Sequence, residues 1–184
     1  KNGDMRYLLM TKVRGKMLCD EQYLSNPRLL VHLLAEGLKM LWTVDINGCP
    51  FKRHLDYKLE QASLRVAGGL EFDEDPDTYG REEFESPEEL LLWLKEHRPE
   101  EETVFSHGDY CLPNLFAEDN TISGFIDLGR AGTADIWQDI ALCVRSLEYN
   151  TGKNEGCVNL LFEELGMAPD WDKIRYYILL DELF

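Results

Sequence analysis

The sequence predicts an α+β fold, mainly helical, with a small β-sheet or hairpin carrying a polar loop. Three observations lead there. Leucines recur at spacings of three and four from Leu29 to Leu41, the period of an amphipathic helix. "SPEELLLWLKEHRP" opens with Ser86, Pro87, Glu88 and Glu89, residues that cap the free N–H groups of a helix start and suit its positive end. "ETVFSHGD" and "NTISGFIDLG" hold β-branched and aromatic residues, with the turn residues "AEDN" between them, so both read as short strands.

Taken in order, "MRYLLMTKV" from Met5 to Val13 is an apolar run between Gly3-Asp4 and Arg14-Gly15, and reads as a strand with a turn on either side. Asn26 caps a long helix that carries Leu29, Leu30, Leu33, Leu34, Leu38, Leu41 and Trp42 inward and ends near "DINGCP"; His32 falls on its surface. A second helix spans Lys52 to Val66 and stops at Gly68-Gly69.

The acidic stretch "GLEFDEDPDTYGREEFE" follows. Asp73, Asp75 and Asp77 alternate as calcium ligands would, but Thr78 stands where the required Gly belongs and Phe84 where the closing Glu belongs. Calcium is rejected, and the stretch reads as a solvated loop or an acidic wall facing a cationic substrate. After the Ser86 helix, the C-terminal third reads as helices. One runs from Asp135 to Leu147, with Ile136, Ile140, Val144 and Leu147 on one face, and one from Asn159 to Leu165. The last starts at Pro169 or Asp170, with Ile174, Tyr177, Ile178 and Leu183 inward.

At 184 residues the chain is long enough to bury a full core. A net charge of −16 argues against a nucleic-acid backbone as partner and favours cationic ligands, although the same charge also serves solubility. The longest apolar runs, "LLLWL" and "YYILL", are too short to cross a bilayer. Five scattered cysteines without a CxxC pair suggest a reducing compartment, the cytoplasm, and buried thiols.

The chemistry concentrates in "VFSHGDYCLPNLFAEDNTISGFIDLGR". Asp109 and Asp127 fall just beyond strand ends, and Asn114 lies five residues after Asp109 in the loop between them. Phosphoryl transfer asks for such a set. The attacking hydroxyl must be oriented by a carboxylate, and hard oxygen ligands must hold Mg²⁺ against the phosphates. Asp109, Asn114 and Asp127 fit base and metal ligands at the spacings of a kinase catalytic loop. His107 reads as a packed, hydrogen-bonded histidine. The spacing argues against a zinc site, because no second His or Cys lies at ligand spacing from it.

"FSHGDYCLPNLF", "SGFIDLGRAGTADIWQDIALCVRS" and "PDWDKIRYYILLDELF" resemble the aminoglycoside phosphotransferases, in particular the 3′-phosphotransferase (kanamycin kinase) group, whose fold is protein-kinase-like. "RYLLMTKVRG" resembles that family's hinge strand and "VDINGCPF" the end of its first C-lobe helix. The resemblance implies ATP- or GTP-dependent phosphorylation of a cationic aminoglycoside with Mg²⁺, and thereby antibiotic resistance. Asp109 would be the catalytic base, Asn114 and Asp127 the metal ligands, and Thr11 and Val13 backbone contacts to the nucleotide base. Asp181, Glu182 and the terminal carboxylate of Phe184 would bind substrate amines. Arg130 and Arg145 match further motif positions, with a structural ion-pair role equally open, while Asp135 and Asp139 would brace the catalytic loop.

Two departures bear on which drugs are accepted: Glu148-Tyr149-Asn150 replaces acidic residues common in the group, and "DEDPDTYG" does not align with the family's carboxylates. The resemblance also sets a domain expectation, because a kinase-like fold needs a Gly-rich phosphate cover and a strand Lys paired to a helix Glu, which the sequence lacks. Residues 1–14 are therefore expected to be the end of an N-terminal lobe and its hinge, and 15–184 the C-terminal lobe, which alone would bind nucleotide poorly. The alternatives are a kinase of another small hydroxyl compound, choline- or homoserine-like, and a non-catalytic kinase-like binding module.

Overall fold

The computed structural model describes residues 9–70, 83–152 and 154–184. Residues 71–82 of the acidic stretch read for calcium, including Asp73, Asp75 and Asp77, lie outside the described residues, as does the start of the Met5–Val13 run. Among the described residues the architecture is helical with two small antiparallel sheets. It runs β1 (Lys16–Met17), α1 (Glu21–Leu24), α2 (Pro27–Trp42), α3 (Leu55–Ala67) and α4 (Pro87–Glu96). Then follow β2 (Thr103–Ser106), β3 (Leu115–Glu118), β4 (Thr121–Phe125), β5 (Gly132–Asp135), α5 (Ile136–Thr151), α6 (Glu155–Leu165) and α7 (Trp171–Asp181). No described helix is long and apolar enough to cross a membrane.

The helix starts are local and fall where the sequence places them, with Asp135 and Asp170 serving as caps in addition to the expected Asn26 and Ser86. Asn26, Ser86, Asp135 and Asp170 each accept a backbone N–H from the first turn of α2, α4, α5 and α7. The leucine stripe of α2 is buried, with Leu30, Leu33, Leu34 and Leu38 at 0% exposure, each contributing about 1.5–3 kcal/mol through burial. It packs against α6, while α5 packs against α7.

The strands pair differently from their order in the sequence. "ETVFSHGD" and "NTISGFIDLG" are not each other's partners. β2 pairs with β5, Thr103 opposite Asp135 and Ser106 opposite Gly132, and β4 pairs with β3, Leu115 opposite Phe125. β3 and β5 escape a sequence reading because "LFAE" is short and "GTAD" is poor in strand formers. The β3–β4 turn places Asp119 and Asn120 at φ 50° and 61°, the mirror-image turn that matches strand twist.

Other boundaries shift too. Leu9–Val13, the described part of the predicted first strand, forms no strand, since it has no ladder partner among the described residues. Helix α3 starts at Leu55 rather than Lys52, because residues 51–53 spend their backbone groups on β5: Thr133 N donates to Phe51 O and Arg53 N to Thr133 O, both at 2.8 Å. α5 continues to Thr151 before Gly152, at φ 70°, ends it. α6 begins four residues before the predicted Asn159, where Asn154 accepts from Gly156 N.

Candidate active site

The loop after β2 is built around one buried carboxylate. Asp139, in the first turn of α5, accepts from His107 N at 2.6 Å and Gly108 N at 2.9 Å. Burial pushes its carboxyl up, and those two N–H groups act in the opposite sense. His107 is fully buried. Its Nε2 lies 2.9 Å from the Ile126 carbonyl, which can only accept. Nε2 therefore carries the hydrogen, and Nδ1 accepts from Asp109 N at 3.3 Å. A neutral imidazole of one tautomer thus joins the loop to the end of β4, a positioning role. Leu112 N donates to Ser146 Oγ at 3.0 Å. The Tyr110 ring is buried against α2, its hydroxyl donating to Leu34 O at 2.7 Å.

This frame brings Asp109 and Asn114 together. Asn114 Nδ2 donates to Asp109 Oδ2 at 2.9 Å and to Asp109 O at 3.0 Å. With its nitrogen so committed, the amide leaves Oδ1 as its free hard donor. Ile126 N donates to Asn114 O at 3.0 Å, which sets the next residue, Asp127, beside Asn114. Asp127 is exposed, stands in the left-handed region at φ 58° and ψ 47°, and makes no side-chain capping bond. Such a conformation costs a non-glycine residue about 1–2 kcal/mol and gathers at working sites. No three His, Cys, Asp or Glu side chains cluster to hold a metal among the described residues. Asn114 Oδ1 and the Asp127 carboxylate are hard oxygen donors of the kind that suits Mg²⁺, an ion that keeps waters and phosphates as its other ligands.

The segment with Thr11 and Val13 docks on the same β3–β4 hairpin. Thr11 is exposed and Val13 half-buried. A Cβ on Gly124 would lie 2.8 Å from Val13 Cγ1, and Ser123 Oγ donates to Arg14 O at 2.7 Å. The hairpin thus joins the segment to Asn114 at one end and Asp127 at the other.

The C-terminal residues form a second, charged region. Asp181 accepts from Arg130 at 3.0 Å and from Arg145 at 2.5 Å, and Arg145 lies 3.8 Å from Glu182. Both arginines and both acids are thus paired within the chain. The Phe184 ring has Lys58, Arg65 and Arg130 over it at 5.4, 5.6 and 5.7 Å, and Arg65 donates to Phe184 O. A Cβ on Gly108 would meet Arg130 O at 2.3 Å, so this region abuts the Asp109 loop.

The model of the phosphotransferase enzyme family matches residues 1–177. The chain belongs to that family. An aminoglycoside 3′-phosphotransferase of Enterococcus faecalis is 46% identical over 182 residues, covering 96% of this chain and 67% of the relative, and one of Staphylococcus aureus is 44% identical over the same length. The chain therefore spans about two thirds of the length of these relatives. The solved structure of a type VIII aminoglycoside 3′-phosphotransferase superposes with a TM-score of 0.81 at 32% identity, over 94% of this chain and 67% of that one. An aminoglycoside phosphotransferase of Streptomyces rimosus, solved with ADP and streptomycin, matches at 0.76 and 27% identity over 94% of this chain and 68% of that one. The helical, kinase-like architecture expected from the sequence is the one these comparisons show.

In this phosphotransferase-family chain, sequence reasoning missed Lys58, Arg53 and Arg65. Lys58 had a readable signal: Leu55, Lys58, Leu59, Ala62 and Val66 share the buried face of α3, and a lysine on such a face calls for a reason. Burial and then the Asp109 carboxylate push the thiol of Cys111, inside the loop after β2, up to about 12, away from the thiolate form that a nucleophile uses.

Proposed function

We propose that the chain transfers the γ-phosphoryl group of ATP, or GTP, to a hydroxyl of an aminoglycoside and so confers resistance to it. The observation that carries this reading is the Asp109–Asn114 pair, bonded at 2.9 Å, with Asp127 in its left-handed turn alongside. Because Asn114 holds Oδ2 of Asp109, Oδ1 is left to accept the proton of the attacking hydroxyl. Asn114 Oδ1 and the Asp127 carboxylate would hold Mg²⁺, which when bound offsets the charge that develops on the phosphates. Thr11 and Val13 would meet the nucleotide base through backbone atoms. They belong to a hinge segment, residues 1–14, ahead of a C-terminal lobe of residues 15–184.

The family and its named relatives support the aminoglycoside as acceptor, and the net charge of −16 attracts a polyamine sugar. Asp181 and Glu182, with Phe184, are the acceptor-side residues of this reading. An amine arriving at Asp181 competes with Arg130 and Arg145, which already hold it. The test is transfer of labelled γ-phosphate to kanamycin by the protein and by Asp109→Ala. We expect the variant to lose about 10³-fold in rate, the scale of a positioned general base; equal rates would remove Asp109 from the chemistry.

A further inference from the structure

We infer that Ser123 and Gly124 are positioning residues for the phosphate donor. They hold Val13 and Arg14, the end of the segment that would meet the nucleotide base, in one register on the β3–β4 hairpin. Their role rests on the phosphotransfer reading for the identity of that donor.

The hairpin is irregular where the segment meets it. Phe116 lies opposite Gly124 and Ala117 opposite Ile122, so Ser123 is an extra residue without a partner on β3, a β-bulge. In a regular strand successive side chains point to opposite faces. Here two successive positions address the same segment: Ser123 Oγ donates to Arg14 O at 2.7 Å, and a Cβ on Gly124 would lie 2.8 Å from Val13 Cγ1. A bulge bends its strand and re-aims side chains, which lets residue 123 supply the hydrogen bond and residue 124 the space. Val13 is branched at Cβ and stiff. A methyl group added at 124 would therefore push the segment itself.

Both sides of this contact are fixed. Glu36 of α2 accepts from Ile122 N at 3.2 Å, beside the bulge. Gly15 turns the chain at φ 79°, where a Cβ would collide with Ala117 O, and Lys16 and Met17 then pair with Ala117 and Phe116. Val13 and Arg14 cannot slide along the hairpin without giving up one of these contacts. The same hairpin runs from Asn114 to Asp127 and is closed by Ile126 N on Asn114 O at 3.0 Å. The bulge thus fixes where the base lies relative to the metal ligands, the alignment on which phosphoryl transfer depends.

The test is a saturation-transfer NMR titration with ADP and Mg²⁺ on the wild type and on Ser123→Ala, Ser123→Thr and Gly124→Ala. Trypsin cleavage after Lys12 and Arg14 is followed alongside, and circular dichroism checks each fold. Ser123→Ala should weaken ADP binding by about two- to tenfold, the scale of one hydrogen bond lost, and speed cleavage. Ser123→Thr keeps the hydroxyl and should retain both values. Gly124→Ala should weaken binding further, and Val13→Ala in the same chain should recover part of that loss by removing the colliding methyl. In transfer assays the KM for ATP should rise more than kcat falls, with the KM for kanamycin unchanged. ADP affinity unchanged in Ser123→Ala and Gly124→Ala would overturn the positioning role, even with faster cleavage. That result in a chain that phosphorylates kanamycin would sink this inference alone. Weakened ADP binding and faster cleavage in the variants of a protein that transfers nothing would sink the activity instead. No ADP binding by the wild type would remove this role together with the nucleotide reading.

Discussion

The loop from His107 to Asn114 and the cavity lined by Lys58, Arg65, Arg130 and Phe184 touch through Arg130, yet they treat buried charge in opposite ways. In the loop, the buried Asp139 carboxylate is met by two backbone N–H groups, and His107 uses both ring nitrogens. In the cavity, the buried Lys58 ammonium faces the Phe184 ring and makes no hydrogen bond among the described residues. Burial moves both groups away from their ordinary values, Asp139 up and Lys58 down to about 8. A charge that is fully hydrogen-bonded organises the backbone around it, whereas a buried ammonium that carboxylates act on only through space, as Asp181 and Asp139 act on Lys58, costs stability.

The strongest way to break this contrast is to remove each charge. Asp139→Ala leaves the His107 and Gly108 N–H groups buried and unpaired. It should destabilise the fold by about 3 kcal/mol in urea unfolding and lower the transfer rate with it. Asp139→Asn keeps one acceptor and should lose less. Equal costs for the two would mean that the N–H bonds do not carry the effect.

Lys58→Met should change stability in the other direction. With a pKa of about 8 folded against 10.5 unfolded, the unfolded chain holds the extra proton between those values, so wild-type stability rises with pH across that window and is depressed below it. The depression amounts to about 3 kcal/mol at most. Unfolding at pH 7 should therefore show the variant more stable by about 2 kcal/mol, with the gap closing toward pH 10. A less stable variant at pH 7 would mean that the aliphatic stem and ring contact outweigh the buried charge.

Gly37→Ala gives a smaller effect with a diagnostic sign. Alanine normally improves a helix by about 1 kcal/mol over glycine. Here its Cβ would lie 2.3 Å from the Tyr110 hydroxyl oxygen, pushing a buried ring that neighbours Asp109. The variant should be less stable by about 1–2 kcal/mol, with a fall in transfer rate larger than the stability change explains. A stabilised variant with full activity would show that Tyr110 does not position the loop.

How much was legible follows the range of the interactions. The helix starts at Asn26, Ser86, Asp135 and Asp170 were readable, the first two as caps, because each of these side chains bonds an N–H two or three residues on. The pairing of β2 with β5 was not, since its partners lie 26 to 32 residues apart and "GTAD" carries no strand signal. Asp109 and Asn114 could be read together because five residues of one loop bring them into contact. The pairing of Asp181 with Arg130 and Arg145 could not, because it spans 51 and 36 residues.

By itself, then, the sequence determined the helical lobe, the oxygen-rich loop of Asp109, Asn114 and Asp127, and an overall charge suited to cationic partners. Those properties come from composition and from neighbours along the chain. Only the tertiary structure decided that α3 turns Lys58 and Arg65 toward Phe184, 126 and 119 residues away in sequence. It thereby places basic side chains against the loop of Asp109 in an acidic protein, because electrostatics acts through space, and packing decides which charges meet.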